Sequence, residues 1–376
     1  MATDPNSPLP RTRTAIEDGI RQGLHLGAQL YVSRDLTVVA DAAFGESRPG
    51  ERLTRDHLLL WLSSTKPVAA VALARLWERG LLELDDPVAK HVPEFAAQGK
   101  GAITLRHLLT HTGGIRLLNV GWPHEPWESI VARIAAMRPE PRWVPGRKAG
   151  YHHASSWFIL GEVVHRLAGR PFSQVVRDEI FVPLGAQDAW IGMPAERYRD
   201  YLAAGCIAPL WNTEGGEPKD LGWNSEEWAV GTHPGGNGFG PVSALGRFYE
   251  MLLRRGVTAS GACLLTSQTV EALSARHRVG LLDHTFQHVM DWGLGFIVNS
   301  AQYGAETVPY GYGRHASPRT FGHSGYRSSV AFADPENALA VALAFNGTPA
   351  NPQHEARIRA VVDAIYEDLG LAEPAA

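Results

Sequence analysis

The chain has few cysteines, few lysines and no long apolar run. Its 376 residues contain two cysteines, Cys206 and Cys263, which are too few for a disulfide framework and have no metal-ligand spacing. The sequence therefore predicts neither a metal nor another cofactor. A formal net charge of -4 gives no electrostatic attraction for nucleic acid or an anionic membrane. No run could span a bilayer, and the polar N-terminal segment lacks the pattern of a secretory signal, so we expect a cytoplasmic location.

The scarcity of lysine makes one of them stand out. Only five of the 35 basic residues are lysines, and Lys66 alone has a serine three positions before it. The stretch Ser63-Ser64-Thr65-Lys66 follows an apolar run and opens a helical pattern that stops at Gly80. Residues three apart share a helix face, so the amine could take the proton of the Ser63 hydroxyl if burial keeps that amine neutral. The alternative is an ordinary N-cap serine.

Hydrophobic residues make up 44% of the chain and charged residues 20%, which indicates a folded protein with a sizeable core. We expect a flexible arm at residues 1–13 and an α/β domain built from residues 14–80 and 285–376. Residues 81–284 are expected to form a mainly helical, tryptophan-rich insertion. Periodicity predicts helices at 13–24, 155–167 and 351–369, and strands at 27–33, 36–44, 293–299, 320–324, 328–334 and 338–345. The near-continuous apolar run of the last strand is typical of a strand that is covered on both faces.

Two helix starts in the middle of the chain carry capping signals. Thr104 precedes a short apolar pattern that ends at a pair of glycines, which predicts an N-cap at this threonine. Ser243 is expected to cap the helix that contains Leu245 and Phe248. The glycine-rich segment at residues 234–238, between these two helices, predicts a turn-dense loop.

Three short patterns follow one another along the chain: Ser63-x-x-Lys66, Tyr151-x-His153 and His323-Ser324-Gly325. Together with residues 108–114 and 234–238, they make the chain resemble the β-lactamase-related serine hydrolases from about residue 27 to residue 369. That family includes class C β-lactamases, D,D-peptidases, esterases and acyltransferases. The resemblance implies an α/β (α+β) fold, in which an antiparallel sheet flanked by helices and an α-helical insertion enclose the active-site cleft.

The resemblance also implies a role for each catalytic residue. Ser63 would be the nucleophile, and Lys66 its proton acceptor or a positive neighbour. Tyr151 would carry a proton between nucleophile and leaving group, a role that would need the Lys66 ammonium to favour the phenolate. The oxyanion hole would consist of the backbone N–H groups of Ser63 and Tyr326.

The substrate would be bound by the rest of these motifs. The resemblance places His153, His323, Ser324, Gly325 and Asn237 along the cleft. The sequence departs from the family pattern twice, since His153 stands where asparagine is common and His323 where lysine is common. Because those two residues help lactamases to hold the carboxylate and amide of the substrate, the departures favour an ester over a β-lactam. The neighbouring His152 and His153 point apart and do not predict a metal site.

Eight of the 11 tryptophans fall in the predicted insertion. Some pack in the core, and we expect others, Trp122 and Trp223 among them, to line the cleft, because binding pockets are mainly apolar and aromatic. This composition predicts a substrate with a flat or bulky apolar part.

The sequence therefore predicts a serine enzyme that forms an acyl-enzyme with a small-molecule ester or, second, an amide. The acyl group would pass to water, as in an esterase, or to an acceptor amine or alcohol, as in a biosynthetic transacylase. The alternatives are a β-lactamase or D,D-peptidase, and a catalytically silent binding or sensor domain of the same fold. The sequence leaves the natural substrate and the oligomeric state open.

Overall fold

The computed structural model describes residues 9–117, 119–304 and 309–372. None of the helices in these ranges is sufficiently long and apolar to cross a membrane. The N-terminal third and the middle of the chain contain, in order, α1 Pro10–Arg21, β1 Gly27–Arg34, β2 Thr37–Arg48, β3 Glu51–Arg52, β4 Leu59–Leu60, α2 Lys66–Glu78, α3 Leu105–Leu109, α4 Trp127–Ala136, α5 Ser155–Ala168, α6 Phe172–Val176, β5 Trp190–Ile191, α7 Ala195–Ala203, β6 Trp211–Asn212, β7 Lys219–Asp220, α8 Glu226–Val230 and β8 Gly238–Gly240. The remainder contains α9 Val242–Leu253, α10 Ser267–Ser274, β9 Leu282–Asp283, β10 His288–Val289, β11 Asp291–Trp292, β12 Ile297–Val298, β13 Phe321–Gly325, β14 Ser329–Asp334, β15 Leu339–Phe345, β16 Gly347–Thr348 and α11 Asn351–Asp368.

The main sheet joins the two ends of the chain. Its eight strands lie in the order β11-β12-β13-β14-β15-β1-β2-β3, and every neighbouring pair is antiparallel. The join is the pairing of β1 with β15, from Ala28 opposite Phe345 to Arg34 opposite Leu339. The predicted α+β fold with an antiparallel sheet is therefore confirmed.

Strand β15 is buried on both faces, as its apolar run predicted. Its alanines point toward α9, which allows a close approach of helix to sheet. At Gly246 of α9, an added Cβ would lie only 2.0 Å from the ring of Tyr31. The larger side chains of β15 form a second core with α1 and α11; they are Leu339, Val341, Leu343 and Phe345. Alternate residues of this one strand therefore belong to two different cores, one on each face of the sheet.

The N-terminal prediction needs correction. Helix α1 begins at Pro10, so residues 10–13 belong to its first turn and not to a flexible arm. Proline is favourable there because its missing N–H would have no partner inside the helix. The helix ends at Arg21, before the predicted residue 24, since Gly23 has a φ of +69°. Residues 1–8 of the predicted arm lie outside the described residues, and the predicted domain boundaries stay a prediction.

Two further local predictions are wrong and one is confirmed. Residues 293–299 are not one strand, because Gly293 donates to the carbonyl of Phe296 and closes a hairpin between β11 and β12. Ser243 is not an N-cap, since α9 already begins at Val242 after Pro241. Thr104 does cap α3: its hydroxyl accepts the N–H of His107, and its own N–H donates to that histidine ring.

Helix α2 lies between the main sheet and α5. It is rich in alanine and buried along most of its length, because it packs on α5 on one side and starts beside β13. A 3-10 turn, Leu62–Thr65, leads into it and contacts β13 and β14. The start of α2 therefore lies between the main sheet and α5.

Candidate active site

The 3-10 turn before α2 exposes one serine and buries its neighbours. Ser63 is half-buried, whereas Ser64, Thr65 and Lys66 are buried. Leu62 has a φ of +51°, a conformation that non-glycine residues adopt rarely and mostly at constrained sites. Thr65 is the N-cap residue of α2, so the N-cap interpretation of Ser63 is wrong. The turn instead directs the Ser63 hydroxyl toward two other side chains.

The first of these is Lys66, which is fully buried. Its Nζ donates hydrogen bonds to Ser63 Oγ at 2.9 Å and to the carbonyl oxygen of Gly235 at 2.8 Å. It also lies 5.0 Å from the ring centroid of Tyr151. Burial lowers the pKa of Lys66 well below its ordinary value, because the charged form loses its hydration. A neutral amine in hydrogen-bond contact with a hydroxyl can accept its proton.

The second is Tyr151, which lies just before α5 and is buried. Its hydroxyl donates to Ser63 Oγ at 2.7 Å. Burial raises the pKa of Tyr151, the hydrogen bond with Ser63 opposes this rise, and the nearby carboxylate of Asp283 adds to it. The expectation that a Lys66 ammonium would favour the phenolate is therefore wrong: burial favours the neutral form of both groups. A neutral phenol is suited to donate a proton to a leaving group.

Hydrogen bonds fasten the nucleophile turn to the sheet. Ser329 of β14 donates to the carbonyl oxygen of Trp61 at 2.7 Å and lies 2.9 Å from Ser64 Oγ. At Gly325, an added Cβ would lie 2.4 Å from the same Trp61 oxygen, so only glycine allows β13 to approach this closely. The next residue, Tyr326, is 54% exposed. The oxyanion role of the Ser63 and Tyr326 N–H groups stays a prediction.

His323 of β13 is buried beside Tyr151, with the two ring centroids 5.9 Å apart. Its Nδ1 lies 2.8 Å from the carbonyl oxygen of Ser324, which makes Nδ1 the protonated nitrogen. Burial, with a further contribution from Lys66, lowers the pKa of His323 to about 3. The imidazole is neutral at pH 7 and cannot replace the positive charge of a lysine. Contact of His323 and Ser324 with a substrate stays a prediction.

The other histidines near the site have different surroundings. His111 Nδ1 accepts the backbone N–H of His152, and His152 Nε2 accepts that of Ile115, both at 3.0 Å. These two rings are therefore hydrogen-bonded to the backbone. His153 is exposed, and its ring centroid lies 4.9 Å from that of Tyr151, so its predicted substrate contact stays open. Across the described ranges, no group of three His, Cys, Asp or Glu side chains could hold a metal ion.

The prediction that Asn237 binds substrate is not supported. Its side chain is fully buried, its Oδ1 accepts the N–H of His233, and its amide donates to the carbonyls of Trp228 and Gly231. Because the amide already has these partners inside the protein, Asn237 orders the loop that supplies the Gly235 carbonyl to Lys66. Its side chain therefore affects the site by fixing the position of this loop.

Three half-buried tryptophans form a row that leads toward this loop. Trp223 stacks on Trp228 with ring centroids 5.0 Å apart, and Trp228 meets Trp122 edge-on at 4.6 Å. Trp122 in turn contacts His233 at 5.0 Å, two residues before the carbonyl that accepts the Lys66 hydrogen bond. We call Trp122, Trp223 and Trp228 the tryptophan row. Its contact with a substrate stays a prediction.

Several supporting residues gave no signal in the sequence. Ser329 meets the turn that carries Ser63, and Asp283 meets Tyr151, only through tertiary contacts, and neither belongs to a recognisable spacing. Asp283 accepts the backbone N–H of Tyr151 at 3.0 Å. Gly235 lies in the predicted turn-dense loop, but no sequence pattern indicates that its carbonyl contacts Lys66.

A serine that receives hydrogen bonds from a buried lysine and a buried tyrosine, beside one strand of an antiparallel sheet, defines a class of serine hydrolases. The family model described as Beta-lactamase matches residues 13–366, and the chain belongs to this family. Membership confirms the predicted resemblance.

Individual relatives agree with this assignment. The chain is similar to the Esterase/beta-lactamase LipL of Mycobacterium tuberculosis (strain ATCC 25618 / H37Rv), with 25% identity over 318 residues that cover 77% of this chain and 70% of LipL. A solved penicillin-binding protein homologue from Caulobacter crescentus has a TM-score of 0.80 and 29% identity, covering 98% of this chain and 99% of its own. A family VIII carboxylesterase structure has a TM-score of 0.80 and 26% identity, with 96% and 97% covered.

Proposed function

We propose that this serine hydrolase acts on uncharged esters through an acyl-enzyme at Ser63, and passes the acyl group to water or to an acceptor amine or alcohol. The observation that carries the proposal is the convergence of Lys66 Nζ, at 2.9 Å, and the Tyr151 hydroxyl, at 2.7 Å, on Ser63 Oγ. The similarity to proteins named as an esterase and a carboxylesterase supports an ester substrate.

In the first half-reaction, Ser63 Oγ bonds to the carbonyl carbon while its proton passes to the neutral amine of Lys66. The carbonyl oxygen becomes an oxyanion, for which the N–H groups of Ser63 and Tyr326 are the proposed donors. As the bond to the leaving alcohol breaks, Tyr151 gives its proton to the departing oxygen. The proton held by Lys66 then replaces the one that Tyr151 lost.

The second half-reaction uses the same groups in reverse. The acceptor attacks the acyl carbon and loses one proton to the pair formed by Lys66 and Tyr151. When the bond between Ser63 Oγ and the acyl carbon breaks, the serine regains a proton from this pair. Which acceptor prevails depends on how well the cleft excludes water and positions a competing nucleophile.

The electrostatics of the site favour an uncharged substrate. Penicillins and D,D-peptides carry a carboxylate, which needs a cationic partner. His323, where the family often has lysine, has a pKa of about 3 and is neutral. Arg327, the residue after Tyr326, is paired with Glu214 at 2.8 Å. These contacts leave β-lactamase or D,D-peptidase activity as the second choice.

The proposal is tested by intact-mass measurement after mixing the protein with p-nitrophenyl butyrate, with and without an added primary amine. We expect an acyl adduct that peptide mapping places on Ser63, steady release of p-nitrophenol, and butyrate or the butyramide as product. The S63A variant should show no adduct.

Two results would contradict the proposal. One is an S63A variant as active as the parent, which would place the chemistry elsewhere. The other is a single stoichiometric burst from the parent with no further release of p-nitrophenol for any ester offered, which would favour a silent binding or sensor domain.

A further inference from the structure

Asp283 lies behind Tyr151 and is fully buried. Its Oδ1 accepts three backbone N–H groups: those of Tyr151 at 3.0 Å, Thr285 at 2.9 Å and Phe286 at 3.1 Å. Its Oδ2 accepts Arg278 Nη2 at 3.1 Å. One carboxylate therefore joins the backbone of the catalytic tyrosine to a separate segment of the chain.

The partner of this carboxylate is itself fixed. Arg278 is buried and donates to the carbonyl oxygens of Thr110 and Met290, each at 3.1 Å. Its guanidinium lies 5.1 Å from the ring centroid of Trp292, which is 5.9 Å from that of Tyr151. Removing one member of a buried ion pair leaves the other unpaired at considerable cost, so the pair and its neighbours form one unit.

The segment around Asp283 also holds Tyr151 by its other backbone group. Thr285 Oγ1 donates to the Tyr151 carbonyl at 3.1 Å, and His284 donates its N–H to the carbonyl of Ala149 at 2.9 Å. The N–H and the carbonyl of the tyrosine are both bound by residues 283–285. Rotation or displacement of its backbone would break these bonds and move the phenol away from Ser63.

The carboxylate of Asp283 adds to the rise in the pKa of Tyr151 that burial causes. Two histidine rings lie next to Tyr151, those of His111 and His323. Burial lowers the pKa of both, so both rings are neutral at pH 7. Burial lowers the pKa of Arg278 to about 10, which leaves it charged. The titratable and charged groups that face the tyrosine are Lys66 on α2, His111 after α3, Arg116 and its partner Glu140, His153, Arg278 with Asp283, and His323 on β13.

We propose that Asp283 is a positioning residue for Tyr151, which fixes the backbone of the tyrosine and places a negative charge beside it, so that the phenol stays protonated and directed at Ser63. The inference rests on the proposed function, since it requires Tyr151 to protonate a leaving group. The buried carboxylate disfavours a second negative charge on the phenol.

Two variants separate the two effects. D283N keeps an oxygen that can accept the Tyr151 N–H but removes the charge, so its kcat/KM for an alkyl ester should fall at a lower alkaline pH than that of the parent. D283A also removes the acceptor, and its kcat should fall by about 10- to 100-fold, the usual loss when a reacting group is displaced by about 1 Å. KM should change less than kcat in both.

D334N is the matched control. Asp334 is also a fully buried aspartate that accepts a backbone N–H, from Ser317, and a tyrosine hydroxyl, from Tyr366, but it lies at the far end of β14. Its substitution should lower the thermal midpoint without moving the pH profile of kcat/KM. If D283A does not fold by near-ultraviolet circular dichroism, the D283N/R278M double variant removes both buried charges and should show the same alkaline shift.

The outcomes separate this inference from the function on which it rests. A parent protein that forms no Ser63 adduct would show that the proposed function itself is wrong. A parent that forms the adduct, together with folded Asp283 variants that keep its kcat and pH profile, would overturn the positioning role alone. The role would also be overturned if D334N reproduced both effects.

Discussion

Lys66 Nζ lies 2.8 Å from the carbonyl oxygen of Gly235, so the amine is held between Ser63 and the loop before β8 by an uncharged acceptor. A carboxylate in that place would have kept the lysine protonated. With a carbonyl, the amine has a hydrogen-bond partner while burial still disfavours its charge. In this position the amine can exist in its neutral form, which the proposed role as a base requires.

The buried lysine should give the protein a specific dependence of stability on pH. Burial lowers the pKa of Lys66 in the folded state, so between that lowered value and its ordinary value the unfolded chain binds more protons. The free energy of unfolding of the parent should therefore rise with pH in this window, relative to K66M, by up to about 1.4 kcal/mol per pH unit. Urea unfolding at a series of pH values measures the difference.

The K219M variant is the control for this measurement, because Lys219 is an exposed lysine on β7. Its stability should follow that of the parent at every pH. K66M should also lose esterase activity, since methionine cannot accept the Ser63 proton. A constant stability difference between the parent and K66M across the pH series would show that Lys66 is not held neutral by burial.

Substituting Tyr151 by phenylalanine should affect esters according to their leaving group. Y151F keeps the buried ring but removes the hydroxyl that lies 2.7 Å from Ser63 Oγ. Loss of a general acid typically costs about 10²- to 10⁴-fold in rate. We expect such a loss in kcat for ethyl butyrate, whose alkoxide must be protonated, and a much smaller one for p-nitrophenyl butyrate. Equal losses for the two esters would contradict the role of Tyr151 as proton donor.

The neutral histidine in the third motif should limit turnover of anionic substrates. A hydrogen bond to a charged group contributes about 1.5–3 kcal/mol, so a substrate carboxylate without its cation should lose roughly 10- to 100-fold in kcat/KM. We expect nitrocefin to be cleaved at least that much more slowly than p-nitrophenyl butyrate. H323Q, which replaces one neutral side chain by another, should leave this ratio and the pH profile between about pH 5 and 8 unchanged. Comparable rates for both substrates would favour a β-lactamase.

The tryptophan row should determine the affinity for apolar esters. Aromatic contacts contribute about 0.5–1.5 kcal/mol beyond the buried area, so W122A and W228A should raise KM for naphthyl esters by at least several-fold. The effect on p-nitrophenyl acetate should be smaller, because this ester has less apolar surface than a naphthyl ester. W211A is the control, since the Trp211 indole donates to Ser47 at the outer strands of the sheet. Unchanged KM values for every ester in the row variants would rule out a binding role.

Local patterns predicted several of the longer helices, including α1, α2, α5 and α11, and the central strands of the main sheet. The near-continuous apolar run at 338–345 predicted a strand covered on both faces, which the structure has at Leu339–Phe345. Thr104 predicted a helix start. Both predictions depend on near neighbours in the chain. The failures arose where longer contacts or backbone geometry decided the outcome. Residues 293–299 turn back on themselves at Gly295, with a φ of +84°, and Ser243 lost its capping position to Pro241 and the preceding β8.

For the active site, the sequence by itself determined that Ser63 and Lys66 can meet, because residues three positions apart lie on the same face of a helix. Its resemblance to a known family singled out Tyr151. Only the tertiary structure decided the protonation states, since burial depends on what α5, β13 and the loop before β8 place around these groups. Only the tertiary structure brings Asp283, 132 positions away in the chain, to the backbone N–H of Tyr151. Only the tertiary structure directs the Asn237 amide to a carbonyl of the protein. Spacing along a chain sets which groups can meet, whereas the surrounding fold sets the charge they carry when they do.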